Sequence, residues 1–222
     1  MDVSALRVSL TLALATVVVL LPLGVVAAYV LAVKPFRGKA VIEAAVAIPL
    51  LLPPTVLGFY LLQMFSDRAL FGAAFQALTG HALAFSFPGL LVASVLVNIP
   101  FVMQPMQRAF ESVPQDVRDA AACCGLSPVQ RFRRIELPLA WPGIVTAAML
   151  AFAHTLGEFG VVLMVGGNIP GETRTLSIAI YDRMQAFDDR AAGVMAAALL
   201  AMAVGTLTVT TWLGQSVRRR HG

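Results

Sequence analysis

Five long stretches without a single Asp, Glu, Lys or Arg constrain the fold of this chain more than any other feature. They cover residues 8–33, 44–66, 82–107, 137–157 with an extension past Glu158 to about 165, and 191–217. A helix that crosses a hydrocarbon core of about 30 Å needs about 20 residues. Because the stretches lack the alternation of barrel strands, we predict an all-α integral membrane protein with five transmembrane helices. The predicted spans are residues 8–33, 44–66, 85–107, 141–165 and 191–214.

The composition agrees with a single membrane domain over residues 1–222, with its core at about 8–215. Hydrophobic residues make up 59% of the chain and charged residues only 13%, against roughly 25% charged in a soluble domain. The net charge of +4 is assigned to residues that flank the spans, because no basic stripe interleaves with aromatics as in nucleic-acid readers. We therefore expect membrane lipid, and no nucleic acid, around the protein.

The distribution of basic residues predicts the orientation. With the N-terminus outside, eleven Lys and Arg residues face the cytoplasm and five face outward, as the positive-inside rule requires. The cytoplasmic set is Lys34, Arg37, Lys39, Arg108, Arg118, Arg131, Arg133, Arg134, Arg218, Arg219 and Arg220, and the outer set is Arg7, Arg68, Arg174, Arg183 and Arg190. The C-terminus and the polar segment 108–139 are then cytoplasmic. Two outer segments, 67–84 and 176–187, have helical apolar spacing and predict short surface helices.

Prolines interrupt several spans, most densely at Pro49, Pro53 and Pro54 in the second. A proline removes a backbone donor and bends a helix. Two interpretations stay open: kinked packing, or broken segments that line a translocation path.

The polar segment between the third and fourth spans predicts two short helices. Ser112 as N-cap and Pro114 in the first turn start a helix over 115–124, and Gly125 ends it. Ser127 and Pro128 start a second helix, which is expected to end before Pro138. The segment could dock on a protein outside the bilayer or lie on anionic headgroups.

The spacing in this segment resembles the EAA signature of permease subunits from binding-protein-dependent ABC importers, E-A-A-x3-G-x9-I-x-L-P. The matching residues are Asp119, Ala120, Ala121, Gly125, Ile135, Leu137 and Pro138. Asp119 replaces the usual Glu, with the same charge and one methylene less. Three further stretches resemble the molybdate permease subfamily, namely 52–58, 154–160 and 167–176. Sulfate permeases share parts of the last two.

The resemblance implies a type I importer fold in a bacterial inner membrane. Two copies would form the pore, each would dock its 119–138 loop on an ATP-binding cassette subunit, and an extracytoplasmic protein would deliver molybdate or tungstate. A sulfate or thiosulfate permease of the same family is the alternative. No cofactor is expected on this chain. ATP would be used by the partner, in agreement with the absence of a Gly-x-x-x-x-Gly-Lys-Ser/Thr sequence.

Candidate pore or gate residues follow from side-chain type. A dianion needs a lining rich in donors without a fixed cation that would trap it, which selects Thr55, Ser94, Asn98 and Thr155. His154 and Glu158 lie four residues apart, hence on one helix face. Ionisable groups inside a span indicate function, but a carboxylate repels an oxyanion. Glu158 is therefore expected to be structural, with a role in gating as the alternative.

Two other classes fit less well. An intramembrane enzyme would need a catalytic cluster, and His154 with Glu158 does not make one. A stand-alone channel or carrier would have no reason for a docking segment.

Overall fold

A computed structural model describes residues 2–221, with side chains described for residues 2–206 and 208. Every regular element within that range is helical, which confirms the predicted fold class. The elements are α1 (Val3–Val33), α2 (Lys39–Leu51), α3 (Pro54–Phe65), α4 (Leu70–Thr79), α5 (Phe87–Glu111), α6 (Gln115–Cys123), α7 (Pro128–Arg131), a π-helical turn (Phe132–Glu136), α8 (Leu137–Gly157), α9 (Gly160–Gly166), α10 (Leu176–Gln185) and α11 (Asp189–His221).

Four helical segments in the described range are long and apolar enough to cross a membrane, and the bent pair α2–α3 makes a fifth candidate. Helices α1, α5 and α11 cover most of the residues of the first, third and fifth predicted spans. The predicted basic cluster at Arg218–Arg220 lies outside the residues whose side chains are described. Short helices α4 and α10 occupy the two segments where surface helices were expected.

The second span is broken in the middle. Helices α2 and α3 meet at an angle of 110°, on either side of Leu52 and Pro53. Two consecutive prolines explain the break, because each lacks an N–H and each disfavours helical geometry in the residue before it. Helix α2 buries none of its residues in the subunit.

The fourth span is broken as well, at Glu158 and Phe159. Helix α8 ends at Gly157, the Glu158 backbone is extended with φ −66° and ψ 131°, and α9 begins at Gly160. A broken second span was one of the two interpretations of its prolines, whereas the break at Glu158 lies in a segment that was predicted as one span, residues 141–165.

The core lies where α1, α5 and α8 pack together. Its large side chains include Leu31, Met106 and Phe110. Small residues allow the helices to approach closely, as expected between membrane helices. A Cβ on Gly143 would lie 2.3 Å from the Cβ of Ala109, and one on Gly24 would lie 2.5 Å from Val102 Cγ1.

Two predictions about the polar segment are wrong. Ser112 does not cap the first short helix; it is the C-cap of α5, its hydroxyl donates to the Ala109 carbonyl, and Pro114 is the N-cap of α6. The second short helix does not end before Pro138, because the chain continues through the π-helical turn into α8. Pro138 lies two residues after the π-helical turn, in the first turn of α8.

Candidate functional site

Helix α6 presents most of its surface to the outside of the subunit. Among its nine residues only Ala121 is buried, while Asp119, Ala120, Ala122 and Cys123 are exposed. The Gln115 side-chain amide donates to Asp119 Oδ1 at 2.9 Å, one turn along the helix. Small side chains beside a carboxylate give a surface that another backbone can approach closely.

Gly125 ends α6 with a Schellman motif. Its φ is +74°, in the left-handed region that glycine adopts without strain. The Leu126 N–H donates to the Ala121 carbonyl at 3.2 Å, and the Gly125 N–H donates to the Ala122 carbonyl at 2.9 Å. These two bonds satisfy carbonyls that the helix end leaves free, so the turn after α6 has a defined shape.

The next helix starts with a capping box. The Gln130 N–H donates to the Ser127 hydroxyl, and the Ser127 N–H donates to the Gln130 side chain at 2.9 Å. This reciprocal pair satisfies two free donors at the start of α7. The first half of the EAA-like motif thus lies on a rigid, exposed helix hairpin.

The second half of the motif lies against the spans. Ile135 and Leu137 are half-buried and Pro138 is exposed. Between them, Glu136 is fully buried, with 0% exposure. Sequence reasoning missed this residue, because the motif leaves its position variable and an acidic residue beside two arginines looks like a solvated face.

The Glu136 carboxylate connects three parts of the chain. Its Oε1 accepts from Arg118 Nε of α6 at 2.9 Å, and its Oε2 accepts from the Tyr29 hydroxyl of α1 at 2.8 Å. Arg131 Nε lies 3.6 Å from Oε1, and a second Arg118 nitrogen donates to the Phe110 carbonyl at 2.6 Å. One buried carboxylate thus links α6 to α1, and Arg118 links α6 to α5. Removing one partner of a buried ion pair costs about 3–5 kcal/mol, because it leaves an uncompensated charge.

A second region forms where the two helix breaks meet. A Cβ on Gly160 would lie 2.8 Å from Pro54 Cβ, and one on Gly58 would lie 2.9 Å from Met164 Cβ. Helix α3 therefore packs directly on α9. The two stretches 52–58 and 154–160, separated by about a hundred residues in sequence, come together here. Thr55, an exposed residue, lies at this junction, since its N atom would lie 3.3 Å from a Cβ on Gly160.

Glu158 stabilises the break in the fourth span. Its Oε1 accepts from the Val161 N–H at 3.0 Å, at the start of α9. Its Oε2 lies 3.7 Å from His154 Nε2, and the His154 ring stacks on Phe101 at a centroid distance of 4.0 Å. The backbone donor expected near Gly160 is therefore present, while His154 lies close to the carboxylate but beyond hydrogen-bond distance.

Asn98 lies apart from this junction, in a polar cluster inside the subunit. It is 1% exposed, and its amide donates to the Ser94 carbonyl at 2.8 Å and to the Thr155 hydroxyl at 3.0 Å. The Thr16 hydroxyl donates to that of Ser94 at 2.8 Å. These contacts join α1, α5 and α8. Three of the four donors selected by side-chain type, Ser94, Asn98 and Thr155, therefore face one another between helices, while Thr55 lies at the junction of the helix breaks.

An ion-pair network lies at the other end of the molecule from α6. Arg174 Nε donates to Asn168 Oδ1 at 2.6 Å, and its other nitrogens lie 3.8 Å from Asp2 and 3.7 Å from Asp182. The hydrogen bond from the Ala5 N–H, helped by the Ser4 hydroxyl, lowers the pKa of the Asp2 carboxyl. Arg174 therefore pairs within its own subunit.

No group of three or more His, Cys, Asp or Glu side chains in the part of the chain that the structure describes is placed to hold a metal ion. Cys123 and Cys124 are free thiols and both are exposed.

Comparison with known proteins shows the class of protein to which this chain belongs. The chain matches the family described as the inner membrane component of binding-protein-dependent transport systems over residues 20–222. Solved structures with the same fold include a bacterial ABC transporter for alginate import, with a TM-score of 0.73 at 17% identity over 98% of this chain and 79% of that one. Another is the MetNI methionine ABC transporter in an inward-facing conformation, with a TM-score of 0.70 at 19% identity over 96% and 93%.

Several proteins with assigned names are more similar in sequence to this chain than these solved structures are. The molybdenum transport system permease protein ModB of Azotobacter vinelandii is 48% identical over 187 residues, covering 84% of this chain and 83% of the relative. ModB of Escherichia coli K12 is 34% identical over 219 residues, covering 98% and 96%. A probable sulfate transport permease, cysT of Anthoceros angustus, is 32% identical over 186 residues, covering 84% and 64%. This chain belongs to the binding-protein-dependent transport system inner membrane component family, and it is a multi-pass membrane protein.

Proposed function

We propose that this chain is the pore-forming subunit of an ATP-driven importer for molybdate, with tungstate as a related substrate. The observation that carries the proposal is the 48% identity over 187 residues to a protein named as a molybdenum transport permease. The relatives named for sulfate transport are less similar, at 32% for the cysT of Anthoceros angustus. A sulfate or thiosulfate permease is the second candidate on that basis.

Energy for transport would come from a separate ATPase. The exposed α6, with Asp119, Ala120 and the left-handed Gly125, has the form of a docking helix, and Ile135, Leu137 and Pro138 connect it to α8. We assign one ATP-binding cassette subunit to each of two permease copies. One solved relative of the same fold is an alginate ABC transporter in complex with a periplasmic protein, which supports delivery of the oxyanion here by an extracytoplasmic binding protein.

The translocation path would run past the junction of the two helix breaks in each of two copies. Broken helices are tolerated at membrane depth where they line a water-filled cavity, and Thr55 offers a hydroxyl there. The carboxylate of Glu158 already accepts a hydrogen bond from the Val161 N–H, so we assign it to shaping the break. We assign Asn98 to helix packing around the same path.

The orientation remains the one that the basic residues predict, with the N-terminus outside and α6 in the cytoplasm. Docking on an ATPase requires this orientation, because ATP is cytoplasmic. The ion-pair network at Asp2 and Arg174 would then lie at the outer end.

Uptake in reconstituted vesicles tests the substrate. The permease, its ATPase and its binding protein are reconstituted with labelled molybdate, and unlabelled molybdate, tungstate and sulfate are added as competitors. We expect molybdate and tungstate to compete and sulfate to compete weakly. Equal competition by sulfate would favour the second candidate.

A deletion tests the mechanism class. Removing residues 125–134 should abolish co-purification with the ATPase while the spans still insert in the membrane. A carrier or an intramembrane enzyme would keep its activity after this deletion. Retained transport, or unchanged co-purification with the ATPase, would exclude the importer.

A further inference from the structure

The buried carboxylate between α6 and α1 has a function that its place in the motif does not indicate. We propose that Glu136 is a positioning residue that makes helix α6 and span α1 move as one body. This inference rests on the proposed docking of α6 on an ATPase, and it names the contact through which a displacement of α6 reaches the spans.

Helix α6 has few other attachments to its own subunit. Ala121 is its one buried residue, and an apolar contact of that size resists sliding weakly. Arg118 supplies the directional contacts, with Nε bound to Glu136 at 2.9 Å and another nitrogen bound to the Phe110 carbonyl at 2.6 Å. Charge-assisted hydrogen bonds of this geometry are strong and directional. Arg118 therefore transmits sideways displacement of α6 to Glu136.

The contact between Glu136 and α1 is also held in a fixed position. Tyr29 donates to Oε2 at 2.8 Å, and its ring packs against Phe110 and Phe132 at centroid distances of 5.3 and 4.6 Å. The tyrosine hydroxyl is thus held in place by aromatic packing on two sides. A displacement that moves Glu136 must move Tyr29, and with it the end of α1.

Helix α1 extends this connection to the centre of the subunit. About three and a half turns before Tyr29, the Thr16 hydroxyl donates to Ser94, which contacts Thr155 at 3.3 Å. Thr155 lies three residues before Glu158, at the break in the fourth span. Glu136 and Glu158 stand at opposite ends of α8, about 30 Å apart for 21 residues at 1.5 Å each. Helix α1 is thus connected to one end of α8 directly through Tyr29 and to the other end indirectly, through Ser94 of α5.

The test compares transport with ATP hydrolysis in the complete complex. The permease, ATPase and binding protein are reconstituted with the variants Tyr29→Phe and Glu136→Gln. Tyr29→Phe removes only the hydroxyl and keeps the ring. Tyr181→Phe is its matched control, because it removes a hydroxyl on α10, and Glu111→Gln neutralises an exposed carboxylate at the end of α5 as the control for Glu136→Gln.

We expect both test variants to co-purify with the ATPase and to hydrolyse ATP, while the number of anions taken up per ATP falls about tenfold, within the range usual for coupling between distant sites. The two controls should keep the wild-type ratio. A structural defect alone would lower uptake and hydrolysis in parallel and leave their ratio unchanged, which would overturn the proposal. Wild-type ratios in both test variants would overturn it too.

The two proposals fail in different ways. If the wild-type chain does not associate with an ATPase, the proposed function is wrong. If the wild-type complex couples normally and the variants couple equally well, only the role of Glu136 is wrong. Should Glu136→Gln not assemble, Tyr29→Phe decides alone, because it leaves the ion pair with Arg118 in place.

Discussion

At the two helix breaks, Gly160 and Gly58 matter because they lack a side chain, which lets α3 and α9 pack closely. Gly160 lies against Pro54 and Gly58 against Met164, at distances that no real Cβ would tolerate. Neither glycine has a positive φ in this structure, so their requirement comes from packing and not from backbone conformation. The contact between α3 and α9 therefore depends on these two positions.

Gly160→Ala is expected to destabilise the protein by about 1–3 kcal/mol, because the added methyl forces α9 away from Pro54. The measurement is thermal unfolding of the purified protein in detergent. Gly193→Ala is the matched control: Gly193 lies in helix α11 with no atom within 4 Å of its added Cβ. There the same change should stabilise by up to about 1 kcal/mol through helix propensity. Equal effects at the two positions would contradict the close packing of α3 on α9.

Asp2 supports the start of α1 in a manner that depends on pH. Its carboxylate accepts from the Ala5 N–H at 3.0 Å, and this bond lowers the pKa of the carboxyl below 3.8. A group with a depressed pKa stabilises the folded state above its unfolded pKa and loses that effect as pH falls through the folded pKa. Asp2→Ala should thus cost about 1 kcal/mol near neutral pH.

The cost of Asp2→Ala should shrink as pH falls below 3.8 and the wild-type carboxyl takes up its proton. Unfolding of both proteins at several pH values between 7 and 3 measures this. A difference in stability that stays constant down to the lowest pH would show that the charge of Asp2 contributes nothing.

At the scale of the elements, the way in which helix α6 ends determines the path of the chain after it. Gly125 has a φ of +74°, and no atom lies within 4 Å of a Cβ added to it. A substitution there is strained by the backbone alone, and the strain changes the direction of the chain after α6. The direction of α7 relative to α6 thus depends on one backbone conformation.

Gly125→Ala should weaken co-purification with the ATPase, at a strain cost of about 1–2 kcal/mol. Gly80→Ala is a close control, since Gly80 ends α4 with φ +77° and equally open space. It carries the same strain on an element that does not take part in docking. Co-purification and thermal unfolding of both variants separate the two effects. A similar loss of ATPase in both variants would contradict a specific role for the end of α6.

How much the sequence could predict differs between elements for physical reasons. The long apolar helices α1, α5 and α11, the Gly125 end and the Ser127 start follow from local signals, and the structure has each of them. The second and fourth predicted spans are each broken. The assignment of Ser112 was wrong because a serine before a proline suits the end of one helix as well as the start of the next. The role of Glu136 depends on Arg118 and Tyr29, residues 18 and 107 positions away, which no local pattern connects. Burial of Asn98 likewise depends on how three helices pack.

The whole molecule has two differently built ends. One carries the exposed hairpin with α6, held by the buried Glu136. The other carries the network of Asp2, Asn168, Arg174 and Asp182, which ties α1 to α10. In an importer, the first end would face the ATPase and the second the binding protein.

Native cysteines allow a direct test of this orientation. Cys123 and Cys124 are exposed on the α6 side, so a membrane-impermeant maleimide should label them only after the cells are permeabilised. A variant that lacks both and carries Leu78→Cys, at a residue 88% exposed on α4, should react in intact cells. Labelling of Cys123 or Cys124 from outside intact cells would invert the molecule and exclude docking on a cytoplasmic ATPase.

The contact of Gly160 with Pro54 has a consequence for protein engineering. These two residues come from distant parts of the chain and pack with no free space between them. A larger side chain at one position therefore needs a smaller one at the other. A mutant library that varies position 160 by itself would consist mostly of damaged proteins. Joint randomisation of 54 and 160 would recover members in which a larger residue on one helix is balanced by a smaller one on the other.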